Sequence, residues 1–138
     1  MIRRISREVA LQALFQIDFA GGEAESAIEA ALAEHTELGA EKAREYVRNY
    51  ANALVGGVLT NKENIDAELS KFAVDWTVER MPATDRNILR VAVYEMLYAV
   101  PAIAPGVAIN EAVEVAKTYG TEESSRFING ILGKLVKK

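Results

Sequence analysis

Nearly every position between residues 88 and 100 is apolar. A helix that is apolar on most sides is usually buried among other helices rather than lying on a surface. Thr84 at the N-cap and Asp85 in the first turn mark the start of such a helix. Val100–Pro101 marks its end, because a residue before proline resists the helical conformation. The pattern therefore predicts a buried central helix over residues 82–100.

Other stretches of the chain carry apolar residues at the three-and-four spacing that is typical of a helix. They are residues 2–19, 23–34, 40–73, 107–120 and 121–138. Gly56–Gly57, inside the longest of them, would kink the helix, break it or allow a close helix crossing. No sustained alternation of apolar and polar residues indicates a strand. The chain is therefore predicted to be all-α.

Three positions between and within these stretches carry specific expectations. Residues 35–39, HTELG, indicate a loop, and a lone loop histidine is usually a surface residue, so His35 is predicted to be exposed. Thr121 is predicted to be the N-cap of the last helix. Gly130 interrupts that helix at a cost of about 1 kcal/mol relative to alanine. We therefore expect a backbone or a ligand to approach closely at Gly130.

The first stretch combines basic and aromatic side chains along one row. Arg4, Arg7, Leu11 and Phe15 fall at steps of three and four, and Arg3 lies one turn before Arg7. Guanidinium groups neutralise phosphates and an unstacked base can lie on an aromatic ring, so the row predicts binding of single-stranded RNA. In the structural alternative, Phe15 packs on a neighbouring helix and the arginines form a solvated helix end.

The central helix carries a second polar row. Arg86, Arg90, Tyr94 and Tyr98 follow one another at steps of four, which places them on one side of the helix. One interpretation is a core helix whose single polar stripe meets solvent. The other is a buried helix that offers two guanidinium groups and a phenol to a ligand.

Composition restricts the class of protein. The 138 residues suit one domain or two small subdomains that share a core, and 50% hydrophobic with 26% charged residues is ordinary for a globular protein. A net charge of −4 disfavours a protein that coats nucleic acid indiscriminately. The absence of cysteine excludes disulfides, thiolate metal sites and a cysteine nucleophile. Apolar runs are too short to span a membrane and the N-terminus only superficially resembles a signal peptide, so we expect a cytoplasmic protein. Carboxylates lie at scattered helical positions, so no metal, cofactor or catalytic residues are expected.

Three segments together closely resemble the NusB family of transcription antitermination factors. They are RRISREVALQALFQIDF at residues 3–19, DRNILRVAVYEM at 85–96 and VAINEAVEVAKTYGTEESSRFINGIL at 107–132. The resemblance spans essentially the whole chain, and residues 23–63 contribute little to it.

The resemblance implies one NusB-like RNA-binding domain over residues 1–138, with about seven helices in two packed helical-bundle subdomains. We expect the N-terminal subdomain at about residues 1–75 and the C-terminal one at about 76–138. Trp76, in the connection between them, is predicted to be a packing anchor. The resemblance also implies that the protein is not an enzyme.

The partners implied by the resemblance are RNA and protein. Members of the family pair with NusE, a small-subunit ribosomal protein, and together bind the single-stranded boxA element of nascent ribosomal RNA transcripts. The complex, with other Nus factors, then helps RNA polymerase read through terminators.

The family's functional positions map onto residues of all three segments. Its basic N-terminus corresponds to Arg3, Arg4 and Arg7, and its aromatic position to Phe15, where tyrosine is common in other members. The start of the central helix supplies Asp85, Arg86 and Arg90, and the Phe-Ile-Asn-Gly motif supplies Phe127 and Asn129. We expect the five arginines to hold phosphates and the two phenylalanines to stack on bases. Asp85 and Asn129 are expected to hydrogen-bond base edges, which supplies sequence preference.

Two alternatives are consistent with the same residues. One is the RNA-binding domain of an RNA cytosine methyltransferase, whose catalysis this chain could not perform without a cofactor domain or a cysteine. The other is a helical scaffold that binds only proteins, or a homodimer that occludes its own RNA face.

Overall fold

The computed structural model describes residues 2–73 and 77–137 of the chain, and within them it contains seven α-helices and no strand. The helices are α1 (Ile2–Ala20), α2 (Ala24–Ala33), α3 (Glu41–Thr60), α4 (Lys62–Ser70), α5 (Ala83–Val93), α6 (Pro105–Tyr119) and α7 (Glu122–Lys137). Two short 3-10 turns lie at Thr36–Leu38 and Val78–Arg80, and a π-helical turn, Tyr94–Tyr98, follows α5. The all-α prediction with about seven helices is confirmed.

The chain divides into two compact units, Met1–Gly56 (unit 1) and Gly57–Lys138 (unit 2). The division falls inside α3, which is earlier in the chain than the subdomain boundary expected near residues 75 and 76. Trp76, the predicted packing anchor at that boundary, lies outside the described residues.

In unit 1, α1 packs along α2. Ile5, Val9 and Ala13, which repeat along α1, are buried as the spacing predicts, whereas Ile17, the next position of that repeat, is half-buried. Fully or nearly fully buried apolar side chains of unit 1 are Val9, Ala10, Ala13, Leu14, Ile28, Leu32, Val47, Ala51, Leu54 and Val55. Burial of these apolar side chains is the main favourable contribution to the folding of unit 1.

In unit 2, α5 is the central helix, because it packs against α4, α6 and α7. Its apolar residues from Ile88 to Val93 are buried, which confirms the predicted burial for this part of the run. Leu97 and Val100, which belong to the same predicted run, are exposed. The helix begins after Pro82, which occupies the N-cap position, so the prediction of Thr84 as N-cap is wrong. The α-helical hydrogen bonds end at Val93, and the backbone continues through the π-helical turn until Ala99, whose N–H donates to the carbonyl of Tyr94 at 2.9 Å.

The long helical stretch predicted at residues 40–73 consists of two helices, and Asn61 separates them. The Nδ2 of Asn61 donates to the carbonyl of Gly57 at 2.8 Å, so this side chain bonds the last turn of α3. Gly56 and Gly57 remain inside α3 without breaking it. Of the three roles expected for these glycines, the structure shows close packing: a β-carbon at Gly57 would overlap the ring of Tyr94.

His35 is buried, which contradicts its predicted exposure. Its Nε2 lies 2.9 Å from Oε1 of Gln12 on α1, and its Nδ1 lies 3.1 Å from Oε2 of Glu37. The 3-10 turn at Thr36–Leu38 folds this segment against α1, a long-range contact that the local sequence did not indicate. The His35 ring lowers the pKa of the Glu37 carboxyl by hydrogen bonding to it.

Candidate RNA-binding surfaces

The N-terminal turn of α1 presents Arg3 to the surface of unit 1. The Nε of Arg3 donates to the hydroxyl of Tyr46 on α3 at 3.2 Å, and its guanidinium carbon lies 5.0 Å from the centre of the Tyr50 ring. Arg4, the next residue, is half-buried. Tyr46 and Tyr50 were not among the RNA-binding residues predicted from the sequence, because their approach to Arg3 depends on tertiary packing.

The predicted row from Arg4 to Phe15 is not a continuous surface. Arg7 is only 6% exposed and Leu11 is buried, so only the two ends of the row reach solvent. The buried face of α1 extends around most of the helix and includes residues 5–7, 9–11 and 13–14. Residues at a common spacing can therefore lie on the face that packs, and Arg7 is part of that face.

Phe15 is 41% exposed and lies beside Phe19, which is 82% exposed. The two rings are nearly parallel, with an interplanar angle of 12° and their centroids 6.4 Å apart. Phe19 was missed in the sequence, although its spacing of four from Phe15 was a usable signal. The surface of α1 thus offers two aromatic faces at its C-terminal end.

In unit 2, the N-terminal turns of α5 and α7 line an open pocket that we call the α5–α7 pocket. Its volume is about 280 Å³, and its lining residues are Pro82, Asp85, Thr121, Glu123, Ser124 and Phe127. The structure therefore brings together Asp85 and Phe127, two residues that were predicted as RNA contacts from separate motifs. One supplies a carboxyl group and the other an aromatic ring.

Ser124 organises the α7 side of this pocket. Its Oγ accepts a hydrogen bond from the backbone N–H of Thr121 at 2.9 Å and lies 3.2 Å from the Thr121 hydroxyl. A side chain three residues into a helix that bonds back to the N-cap N–H is half of a capping box. Thr121 thus occupies the predicted N-cap position, and Ser124 supplies the capping side chain.

Asp85 faces Ser124 from α5 and is buried. Burial raises the pKa of the Asp85 carboxyl, because it penalises the charged form, and the hydrogen bond from Ser124 partly opposes this rise. A carboxyl group in this environment can accept hydrogen bonds from a base edge, and it can also donate one when protonated.

Asp85→Asn is expected to raise the free energy of unfolding at pH 7, because it removes the penalty for a buried charge and keeps an acceptor for Ser124. The raised pKa means that the folded protein binds this proton more tightly than the unfolded chain. The stability that it contributes is therefore complete below the ordinary pKa and is lost as pH rises through the raised value.

Urea unfolding of wild type and Asp85→Asn at several pH values between 3 and 8 measures this effect. The wild type should lose this contribution with rising pH, whereas Asp85→Asn should not. Glu63→Gln, at an exposed position on α4, controls for the loss of one negative charge. An Asp85→Asn protein that is less stable than wild type at pH 7 would contradict a raised pKa for the Asp85 carboxyl.

Arg86 and Arg90 do not form a polar stripe that meets solvent, which was the first of the two interpretations of their row. The Nη1 of Arg86 donates to the carbonyls of Val78, Glu79 and Met81 at 3.2–3.4 Å. Arg90 is 5% exposed, and its Nε and Nη2 donate to the two carboxylate oxygens of Asp66 on α4, each at 2.9 Å. Both guanidinium groups therefore bond to the protein itself.

Asn129 lies apart from the α5–α7 pocket. It lines a groove of about 440 Å³ between α6 and α7, together with Gly106, Ile109, Asn110, Val113, Ser125 and Arg126. Asn129 and Phe127 are two residues apart on a helix, so they point to different sides of α7. A β-carbon at Gly130 would have no neighbour within 4 Å, so the expected close approach of a backbone at Gly130 is wrong for the described residues.

The described residues contain no group of three or more histidine, aspartate or glutamate side chains that could hold a metal ion. Among the same residues, no helix has the length and apolar character needed to cross a membrane.

The described residues form a small all-helical protein, with an arginine and exposed aromatic rings in one unit and a pocket that contains a carboxyl group and an aromatic ring in the other. Such groups are the ones that bind single-stranded nucleic acid. A model of the NusB family matches residues 4–137. The chain belongs to the NusB family, and the resemblance seen in its motifs is confirmed.

Relatives and solved structures agree with this assignment. Transcription antitermination protein NusB of Symbiobacterium thermophilum is 45% identical over 139 residues, which cover 99% of this chain and 90% of the relative. The structure of T. maritima NusB is 37% identical, with a TM-score of 0.80 over 99% of this chain and 91% of that one. A chain in the crystal structure of antitermination factors NusB and NusE in complex with double-stranded RNA is 26% identical, with a TM-score of 0.81 over 99% and 96%.

Proposed function

We propose that this protein is a transcription antitermination factor that binds the single-stranded boxA element of nascent ribosomal RNA together with NusE. The bound complex lets RNA polymerase read through terminators, with other Nus factors as indirect partners. Support comes from the relatives, which are transcription antitermination proteins, and from the similar chain in the complex of NusB, NusE and RNA. The protein acts by binding, without a chemical step, and works in the cytoplasm where its transcripts are made.

The observation that carries the RNA proposal is the juxtaposition of Asp85 and Phe127 in the α5–α7 pocket. Single-stranded RNA is recognised when an unstacked base lies on an aromatic ring and forms hydrogen bonds through its edge. Phe127 supplies the ring, and Asp85 supplies the group that bonds the base edge. The capped turn of α7 fixes Ser124 beside Asp85, so the pocket is formed before RNA binds.

Phosphate binding in this proposal falls to Arg3 and Arg4 of unit 1, with Phe15 as a second surface for stacking. Arg86 and Arg90 support the pocket indirectly. Arg86 bonds carbonyls that precede Pro82 and so holds the start of α5, and Arg90 joins α4 to the last turn of α5. A direct contact of Arg7, Arg86, Arg90 or Asn129 with RNA stays a prediction.

Titration of a fluorescent single-stranded boxA-like RNA with this protein, at several salt concentrations and with or without NusE, tests the proposal. A scrambled strand and a boxA duplex are the RNA controls. We expect the single-stranded boxA RNA to bind most tightly, NusE to strengthen its binding and salt to weaken it.

The variant for this titration is the double substitution Arg3→Ala/Arg4→Ala. The plot of log affinity against log salt concentration should become less steep by about 0.7 for each phosphate that the variant no longer neutralises. Lys62→Ala/Lys134→Ala, which removes two exposed lysines of unit 2, is the matched control and should leave the slope unchanged. Equal affinity for the boxA and scrambled strands in the presence of NusE would overturn the proposal and favour a protein-binding scaffold or a self-occluding homodimer.

A further inference from the structure

Two tyrosines of α3 form an aromatic surface beside Arg3 that the proposed function does not use. The Tyr46 and Tyr50 rings have their centroids 6.3 Å apart and an interplanar angle of 26°. Tyr46 is 43% exposed, although tyrosine rings are large and usually mostly covered in a folded protein. Both residues lie in unit 1 with Arg3.

Arg3 is attached to this surface by two contacts of different kinds. The hydrogen bond from its Nε to the Tyr46 hydroxyl sets its position along α3, and its guanidinium lies over the Tyr50 ring in a cation–π arrangement. The charge of Arg3 is therefore held next to aromatic faces. A phosphate bound by Arg3 would place its own nucleotide within reach of the Tyr46 ring.

Two further exposed residues lie on the same side of α3 as Tyr46. Lys42 precedes Tyr46 by four residues and Asn49 follows it by three, so both lie on the same side of the helix, and both are exposed. Arg48, by contrast, is paired with Glu29 of α2. A cation, an aromatic ring and an amide in sequence along one helix are the groups that bind a phosphate, a base face and a base edge.

We propose that Tyr46 is a base-stacking residue, and that the RNA path of unit 1 continues from Arg3 onto α3. One unpaired nucleobase of the bound RNA stacks on the exposed Tyr46 ring, next to the phosphate held by Arg3, with Lys42 and Asn49 beside it. This inference rests on the proposed RNA-binding function and adds to it a nucleotide outside the α5–α7 pocket.

A purely structural role for Tyr46 predicts a different result for its variants. If Tyr46 only held Arg3 in place, the essential group would be its hydroxyl, and the ring would not contact RNA. Tyr46→Phe removes the hydroxyl and keeps the ring, whereas Tyr46→Leu removes both. The two variants therefore separate positioning of Arg3 from stacking.

The test combines these variants with a scan of the RNA. Each nucleotide of a single-stranded boxA-like RNA with flanking residues is replaced in turn by an abasic nucleotide, and affinities are measured in the presence of NusE. At one position, loss of the base should weaken binding to wild type by about tenfold, the range measured for stacking of one base on an aromatic side chain. Tyr46→Phe should show the same loss there, and Tyr46→Leu should show almost none.

Cross-linking of the wild-type protein provides a measurement that does not depend on how the variants fold. RNA with 5-bromouridine at the position found in the scan is irradiated on the protein, and the linked peptide is identified by mass spectrometry. We expect the link at Tyr46. Identical abasic scans for wild type and Tyr46→Leu, or links only at other residues, would overturn the inference and leave the proposed function standing. Failure of wild type to prefer boxA would overturn both.

Discussion

Arg90→Ala is expected to lower the free energy of unfolding by about 3 kcal/mol, because it breaks a buried, bidentate ion pair with Asp66 from one side. Arg90 is 5% exposed, and its Nη1 also donates to Oδ1 of Asn87 at 3.2 Å. Two parallel charge-assisted hydrogen bonds are stronger than a single surface contact, and the substitution leaves the partly buried Asp66 carboxylate without this partner. Urea denaturation of the two proteins measures the difference.

Lys71→Ala is the matched control, since Lys71 pairs with Glu68 on α4 but its side chain is 57% exposed. Its loss is expected to change stability by less than about 0.5 kcal/mol, as for most surface ion pairs. Arg90→Lys keeps the charge but cannot form both bonds, so it should lie between Arg90→Ala and wild type. An Arg90→Ala protein as stable as wild type, with weakened RNA binding, would assign Arg90 to phosphate instead of to the link between α4 and α5.

Gly57→Ala is expected to destabilise the protein by about 1–3 kcal/mol, the usual cost of overpacking. A β-carbon at this position would overlap ring atoms Cε1, Cζ and Cδ1 of Tyr94, the last at 2.7 Å. Tyr94 begins the π-helical turn that follows α5, so its half-buried ring must move away from α3 to make room. Thermal or urea unfolding reports the change.

Gly56→Ala provides an internal control with the opposite sign. A β-carbon there has no neighbour within 4 Å, and alanine inside a helix is favoured over glycine by about 0.5–1 kcal/mol, so this variant should be more stable than wild type. In a Tyr94→Leu background, the cost of Gly57→Ala should largely disappear, because contacting residues give non-additive effects. Equal effects at the two glycines would refute the close packing of Gly57 against Tyr94.

Helical content was readable from the sequence because it depends on local spacing. The apolar run after Asp85 predicted a buried helix, and α5 is buried among three others. The boundary between α3 and α4 was harder to predict, since only one residue, Asn61, separates the two helices. Spacing indicated one continuous helix there because apolar residues repeat on both sides of Asn61.

For the candidate RNA-binding residues, the sequence likewise indicated which residues take part, and tertiary packing decided where they lie. Sequence motifs indicated Asp85 and Phe127 separately, and only packing of α5 against α7 placed them in one pocket. Motifs could not distinguish an exposed arginine from a buried one. Arg3 is exposed and Arg90 is buried, because a guanidinium at regular helical spacing can face either solvent or a carboxylate on another helix.

The sequence by itself determined the all-α class, the buried central helix and the family, because each depends on residue types at short, regular intervals. Tertiary structure decided which polar groups pair, as with Arg90 and Asp66, and which rings remain exposed, as with Tyr46. These properties depend on contacts between residues far apart in the chain. The physical reason is that a charged or aromatic side chain is stabilised by the partner that tertiary packing places beside it. Local spacing does not specify that partner.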